Sequence, residues 1–230
     1  MRVNEVVSGP VRSLWARAGA AVYDPMLVKA ERRGMAERRR RLLASAEGAV
    51  LEIGAGTGLN VPYYPTTVSS LVLTEPIAPM AARLRNRVRT LRPDAEVVEA
   101  PGHRLPAATG TVDTVVSTLV LCTVPDPDAV LGEIARVLRP NGRFLFCEHV
   151  RSEDPALARR QDRLAGPWSV FGQGCRCDRR TLSSISGAFG DVEVDHGAWQ
   201  GMPALVRPLV IGRAMHGTVS GRGTSPRPVI

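Results

Sequence analysis

Between residues 49 and 150, five short apolar runs are separated by segments with helical spacing: AVLEI (49–53), SSLVLTE (69–75), AEVVEA (95–100), VDTVVST (112–118) and GRFLFCEHV (142–150). Each run is rich in β-branched residues and bounded by turn residues, which is the pattern of a buried strand. In PMAARLRNRVRTLRP (79–93), Met80, Leu84, Val88 and Leu91 share one face while arginines take the other angles, and Pro93 stops the run. In DPDAVLGEIARVLRPNG (126–142), Val130, Ile134, Val137 and Leu138 recur at helical spacing, and Pro140-Asn141-Gly142 is expected to turn the chain into the fifth strand. Strands alternating with helices require βαβ crossovers, and hence an α/β fold with a doubly wound, mostly parallel sheet.

The flanks fit one domain spanning 1–216, and 230 residues suffice for one substantial core. Residues 1–48 form an N-terminal helical cap, whose charged helix over 25–48 is interrupted at Gly34 and docks through Leu42 and Leu43. Beyond the fifth strand we expect a helix over 153–165, an irregular stretch 166–177, a helix over 178–189 and a closing strand pair at 191–196 and 205–215. The tail 217–230, rich in Gly, Ser and Pro, has little to bury and is expected to be disordered.

The formal charge of +8 would suit a polyanionic partner, yet Lys29 is the only lysine and the arginine bias reads as compositional. No nucleic-acid partner is therefore expected. No apolar stretch approaches the roughly 18 residues of a membrane span, which leaves at most peripheral membrane contact. Cys122, Cys147, Cys175 and Cys177 form no CxxC pair and lie at no zinc-finger spacing, so no metal site is expected and the reading is a reduced, cytoplasmic protein.

The ligand signal lies in LEIGAGTGLN (51–60), where Gly54, Gly56 and Gly58 directly follow the first strand. Glycines there let a ligand approach the backbone at the carboxyl end of the sheet. The dinucleotide fingerprint GxGxxG would need glycine where Leu59 stands, and the Gly-Lys-Ser/Thr of a phosphate loop is absent. A nucleoside without a pyrophosphate is favoured. Glu75, at the end of the second strand, stands where such folds present a carboxylate to ribose hydroxyls.

With VLEIGAGTGLN, VLTEP, VDTVVSTLVLCTVPDP and VLRPNGRFLFCEHV in view, the sequence resembles class I S-adenosylmethionine-dependent methyltransferases. STLVLCTV, LRPNGRFLFCEHV, FGQGCRCDR and VRPLVIG further resemble the branch that methylates alkyl thiols. The resemblance covers about 20 to 215 and implies seven strands, the last antiparallel, with S-adenosyl-L-methionine as cofactor. It implies that Gly54, Ala55, Gly56, Thr57, Gly58 and Asn60 wrap the cofactor's methionine part, that Glu52 orients the loop or the ammonium, that Glu75 beside Pro76 holds the ribose, and that Met80 packs on adenine. Gly102 and His103 would meet the adenine ring, and Thr118 and Leu119 would lie near the methyl group. One departure stands out: EAPGHRLP has Pro101 where the family pattern expects an acid, so Glu99 or the His103 ring would have to replace that acceptor.

A sulfonium is already a good leaving group, so transfer needs an aligned nucleophile and exclusion of water more than acid–base equipment. His149 and Glu148 are the candidate catalytic pair, His149 because it titrates in the useful range. Tyr23, Cys122, Trp168, Phe171 and Trp199 are candidates to line the pocket of a small-molecule acceptor, best an alkyl or aryl thiol. Alternatives are a quinone or phospholipid-head-group acceptor, or a non-catalytic module that binds polyanions through the basic first helix.

Overall fold

The computed structural model describes Ala20 and residues 23–217. The tail expected over 217–230 lies outside the described residues except for Gly217, as does the cap up to residue 19. Seven strands, β1 (Gly48–Ile53), β2 (Val68–Thr74), β3 (Glu96–Val98), β4 (Val112–Thr118), β5 (Leu138–His149), β6 (Asp191–Ala198) and β7 (Pro208–Met215), form one sheet in the order β3-β2-β1-β4-β5-β7-β6. β1 to β5 pair in parallel, and β7 runs antiparallel to both β5 and β6. This is the doubly wound, mostly parallel sheet expected, closed by the strand pair read from residues 191–215.

Period-two alternation divides the core between the two sheet faces. Val50, Val116, Leu145 and Cys147 pack with Leu27, Met35, Leu43, Leu84 and Val88. Their strand neighbours Leu51, Val115, Phe144 and Phe146 pack with Val130, Ile134, Val137, Ile185 and Phe189. The first face is covered by α1 (23–30), α2 (Ala36–Leu43) and α3 (Ala78–Leu91), and the second by α4 (Pro127–Val137) and α6 (Thr181–Phe189). α1 and α2 are separated by a wide turn over Glu31–Met35 where Gly34 has φ 113°, so the interruption falls where the sequence places it.

Three boundaries differ from expectation. Pro140-Asn141-Gly142 is not a turn between elements: α4 ends at Val137, β5 begins at Leu138, and pairing passes from Val112–Leu138 to Thr114–Arg143. Residues between bulge from the ladder, with Asn141 at φ 63°, a conformation asparagine adopts more readily than most residues, and its N–H donating to the His216 carbonyl at 3.1 Å. α5 (Pro155–Phe171) continues past the expected end at 165, through Pro167. Proline removes one helical donor, but the last turn is kept where Gly172 N–H meets the Trp168 carbonyl at 2.7 Å. Leu91, read as part of the buried face of α3, is exposed one turn beyond the last core residue, Val88.

Candidate functional site

Strand register gathers the predicted residues at one edge. Glu52 of β1 stands beside Leu73 of β2 and Val116 of β4, and Thr118 stands beside Cys147 of β5. The segments after β1, β2, β4 and β5 therefore open together at the carboxyl ends of the strands, where doubly wound sheets bind ligands.

The glycines after β1 have φ of 56° (Gly54), 59° (Gly56) and 87° (Gly58). A Cβ on Gly54 would stand 2.8 Å from Val120 Cγ2, and one on Gly58 would stand 2.7 Å from Leu84 Cδ1, so the loop packs tightly on both sides. Gly56 is different: only Tyr23 Cε1 approaches its Cβ position, at 4.0 Å, and open space lies over the middle of the turn. Glu75 closes the loop from β2, Oε2 accepting Gly56 N–H at 2.9 Å and Oε1 accepting Ile77 N–H at 2.8 Å. Burial pushes the Glu75 carboxyl above the usual range, opposed by those two N–H groups. Ala55 N–H donates to the Thr74 carbonyl at 2.8 Å, and the Thr57 hydroxyl donates to Asp24, which pairs with Arg87 at 2.9 Å. The loop is thereby latched to α1 and α3. Pro76 is exposed beside it, and Met80 is buried in the first turn of α3.

Glu52 and Asn60 are committed to a buried chain. Tyr64 Oη donates to Glu52 Oε2 at 2.6 Å and Asn60 Nδ2 donates to Glu52 Oε1 at 2.8 Å. Asn60 Nδ2 also meets Thr118 Oγ1 at 3.0 Å, while Asn60 Oδ1 accepts from Arg39 at 2.8 Å. Arg39 completes the chain by pairing with Glu31 at 3.2 Å. Burial raises the Glu52 carboxyl, and its bonds to Tyr64 and Asn60 oppose that rise. Sequence reading missed Arg39 and Tyr64. The signal for Arg39 was its place on the stripe Met35, Arg39, Leu42, all three buried, but four consecutive arginines concealed it.

Beyond β4, Leu119 takes φ 61°, which is strained for a branched side chain. Two things hold it: its N–H donates to the Cys147 carbonyl at 2.9 Å, and Glu148 clamps the turn. Glu148 Oε1 accepts from Ser117 Oγ at 2.6 Å and from Val120 N–H at 3.1 Å, while Oε2 accepts Leu121 N–H at 3.2 Å. Expected as a catalytic group, Glu148 instead lies fully buried with both oxygens engaged by the backbone turn. Its carboxyl is raised by burial, with Ser117 the main opposing donor.

His149 is also engaged. Its Nε2 lies 3.0 Å from Cys175 Sγ, and Trp168 Nε1 donates to the same sulfur at 3.2 Å. Nδ1 has no partner among the described residues. The Cys175 thiol is held below the ordinary range, chiefly by a hydrogen bond from Cys122, and Cys122 is raised by the same bond and by burial. Cys122 and Trp168 meet at Cys175, and Trp199 belongs to the same apolar core cluster. Tyr23 packs against the same cluster and lies over Gly56, its phenol pushed up to about 12 by burial. Phe171 is not brought in: it ends α5 at 82% exposure.

At the adenine side expected from the resemblance, His103 is exposed and Glu99 is held by Arg85 in an exposed pair at 2.8 Å. Gly102 lies against α4, where an added Cβ would stand 3.3 Å from Val130. On the basic helix, Arg40 and Arg41 share Glu37, at 2.7 and 2.6 Å, and Arg38 donates to the Ala198 carbonyl at 3.3 Å. No helix among the described residues is long and apolar enough to cross a membrane.

Residues 51–146 match the sequence profile of the family described as Methyltransferase domain. The chain is 32% identical over 203 residues to thiol S-methyltransferase TMT1B of Homo sapiens, a match covering 83% of each chain. It is 34% identical over 132 residues to the phosphatidylethanolamine N-methyltransferase of Cereibacter sphaeroides, covering 55% of this chain and 64% of that one. Its fold is that of a putative methyltransferase from Bacillus halodurans, with a TM-score of 0.65 at 13% identity, over 80% of this chain and 100% of that one. From the glycine loop, the sheet order and these relatives together, the chain belongs to the class I S-adenosylmethionine-dependent methyltransferases.

Proposed function

We propose that the chain methylates a small alkyl or aryl thiol, using S-adenosylmethionine as the methyl donor. The residues at the carboxyl edge fit that cofactor on two observations. Space is open above Gly56, where a side chain would intrude, and the buried Glu75 carboxylate beneath the loop retains lone pairs for two hydroxyls. Gly54 to Gly58 would hold the methionine part, Glu75 the ribose, and Thr118 with Leu119 the region of the transferred methyl. The cofactor supplies an activated methyl group on a sulfonium. The chain's own contribution is to hold the acceptor in line and exclude water. Arg39, Asn60, Glu52 and Tyr64 fix the loop from below, and Glu148 fixes Leu119 and the 120–121 turn.

The observation that carries the acceptor class is that both predicted acid–base groups are buried and already hydrogen-bonded within the fold. Glu148 accepts three hydrogen bonds from the 117–121 turn, and the Nε2 of His149 lies against Cys175. An acceptor that ionises unaided suits such a site: a thiol with a pKa near 8.5 supplies some thiolate at neutral pH, whereas an ammonium near 10.4 holds its proton. The similarity to a thiol S-methyltransferase over 83% of both chains supports the same reading. The match to a phosphatidylethanolamine N-methyltransferase, confined to 55% of the chain, keeps an amine head group as the second reading.

Deuteromethyl-labelled S-adenosylmethionine should be offered with an alkyl thiol, a hydroquinone, or vesicles of phosphatidylethanolamine. The expected product is the labelled thioether, formed faster as pH rises toward the thiol pKa. Label on the amine or the phenol, with none on sulfur, would overturn the thiol assignment.

A further inference from the structure

The cluster around Cys175 is built more carefully than an apolar pocket wall requires. Cys122 follows the turn after β4, His149 ends β5, and Cys175 lies in the stretch after α5, so three separate segments supply it. Each offers one atom, two sulfurs and an imidazole nitrogen, all within 4.8 Å of one another. The residues are 2%, 1% and 8% exposed.

The segment carrying Cys175 is shaped to reach this position. Gln173 and Gly174 take φ of 52° and 92°, reversing the chain, and Arg176 N–H then donates to the Cys122 carbonyl at 2.8 Å. A Cβ on Gly172 would stand 2.9 Å from Trp168 Nε1 and 3.1 Å from Cys175 Cβ, so only glycine leaves room for the indole N–H to meet the Cys175 sulfur. An N–H group donating to a sulfur is the kind of outer contact that orients a metal-bound thiolate. Cys177 takes no part: its sulfur lies 3.8 Å from the Gln161 carbonyl.

We propose that Cys122 Sγ, Cys175 Sγ and His149 Nε2 bind one zinc-class divalent cation and leave one coordination position open. Two thiolates and an imidazole form a soft-to-borderline donor set that selects zinc over magnesium or calcium, and three protein ligands with an open fourth position are the arrangement of reactive rather than purely structural zinc sites. Binding would displace the thiol protons, and the cation would balance the charge of two thiolates in a buried site. The spacing of the cysteines hides this site because its ligands meet only through the β4–β5 register and the reversal at 173–174. The assignment does not rest on the thiol acceptor proposed above, since the three side chains bind the cation whatever is methylated.

The test uses full-length protein, stripped with chelator and kept reduced by a phosphine, with all four thiols counted as free before titration. Co2+ is the probe. The expected result is one Co2+ per chain, with a thiolate-to-cobalt charge-transfer band in the near ultraviolet and visible bands of tetrahedral intensity. Cys175→Ser and Cys122→Ser should each weaken the charge-transfer band and the affinity, and His149→Gln should lower affinity while keeping the band. Cys177→Ser should change neither, with circular dichroism confirming each fold. A band unchanged in folded Cys175→Ser and Cys122→Ser would overturn the proposal. So would zinc content far below one per chain after wild-type protein is saturated with Zn2+ and desalted, a result that requires no variant to fold.

Discussion

Glu75 Oε2 accepts the backbone N–H of Gly56 at 2.9 Å, joining the end of β2 to the middle of the glycine turn. Gly56 differs from Gly54 and Gly58 in the open space at its Cβ position. Gly56→Val would place a side chain in open space at φ 59°, and Gly58→Ala would force a Cβ to within 2.7 Å of Leu84. We expect Gly56→Val to abolish S-adenosylhomocysteine binding while retaining most of the fold, and Gly58→Ala to lower thermal stability by roughly 1–3 kcal/mol. Calorimetric binding paired with thermal melting separates the two; a Gly56→Val variant that binds normally would place the ligand elsewhere.

Glu75 also gives a pH dependence with a definite sign. Burial raises its carboxyl above the ordinary value, and ribose hydroxyls donate best to the ionised form. Affinity for S-adenosylhomocysteine should therefore fall as pH drops through a midpoint above the usual carboxylate value near 4.3. Glu75→Gln should bind more weakly and lose that midpoint. A wild-type profile flat down to pH 4 would contradict the assignment.

Glu148 holds the strained turn at Leu119 through three donors. Glu148→Ala leaves Ser117 Oγ and the N–H groups of Val120 and Leu121 buried without partners, and we expect a loss of about 2–5 kcal/mol of stability. Glu148→Gln keeps an acceptor and should cost less. If Glu148→Ala kept its melting temperature and lost only turnover, the residue would be acting on substrate after all.

Tyr64→Phe removes one donor from the buried Glu52 carboxylate, bonded at 2.6 Å. The expected cost is roughly 1–3 kcal/mol, because a hydrogen bond to a charged, desolvated group is lost. Arg39→Met tests the other end of the chain by leaving Asn60 Oδ1 without its donor. Chemical denaturation of both variants and of the double variant checks the coupling: effects that add independently would mean the chain does not act as a unit.

The sheet was legible because a buried parallel sheet imposes period and length on its strands, and β1, β2, β4 and β5 each carry that signature. The glycine loop and Glu75 were legible for a related reason: each answers a local backbone or charge requirement. What stayed hidden depends on side chains that meet through the fold. Arg39 reaches Asn60 from a run of four arginines, and Cys175 reaches His149 through two left-handed residues. Glu148 was legible as polar and placed at a strand end, but sequence cannot show that its oxygens face inward onto the 117–121 turn. The same limit applies at the fifth strand, where Leu138 pairs with Val112 and turns an expected loop into a bulge.

The most direct measurement is isothermal titration of S-adenosylhomocysteine into wild-type protein and Glu75→Ala, at two salt concentrations. Micromolar, salt-insensitive binding to the wild type is expected, with a loss of roughly 1–3 kcal/mol in the variant and its fold unchanged. Equal affinity in both proteins, or binding that weakens steeply with salt, would contradict a cofactor seated between the glycine loop and Glu75.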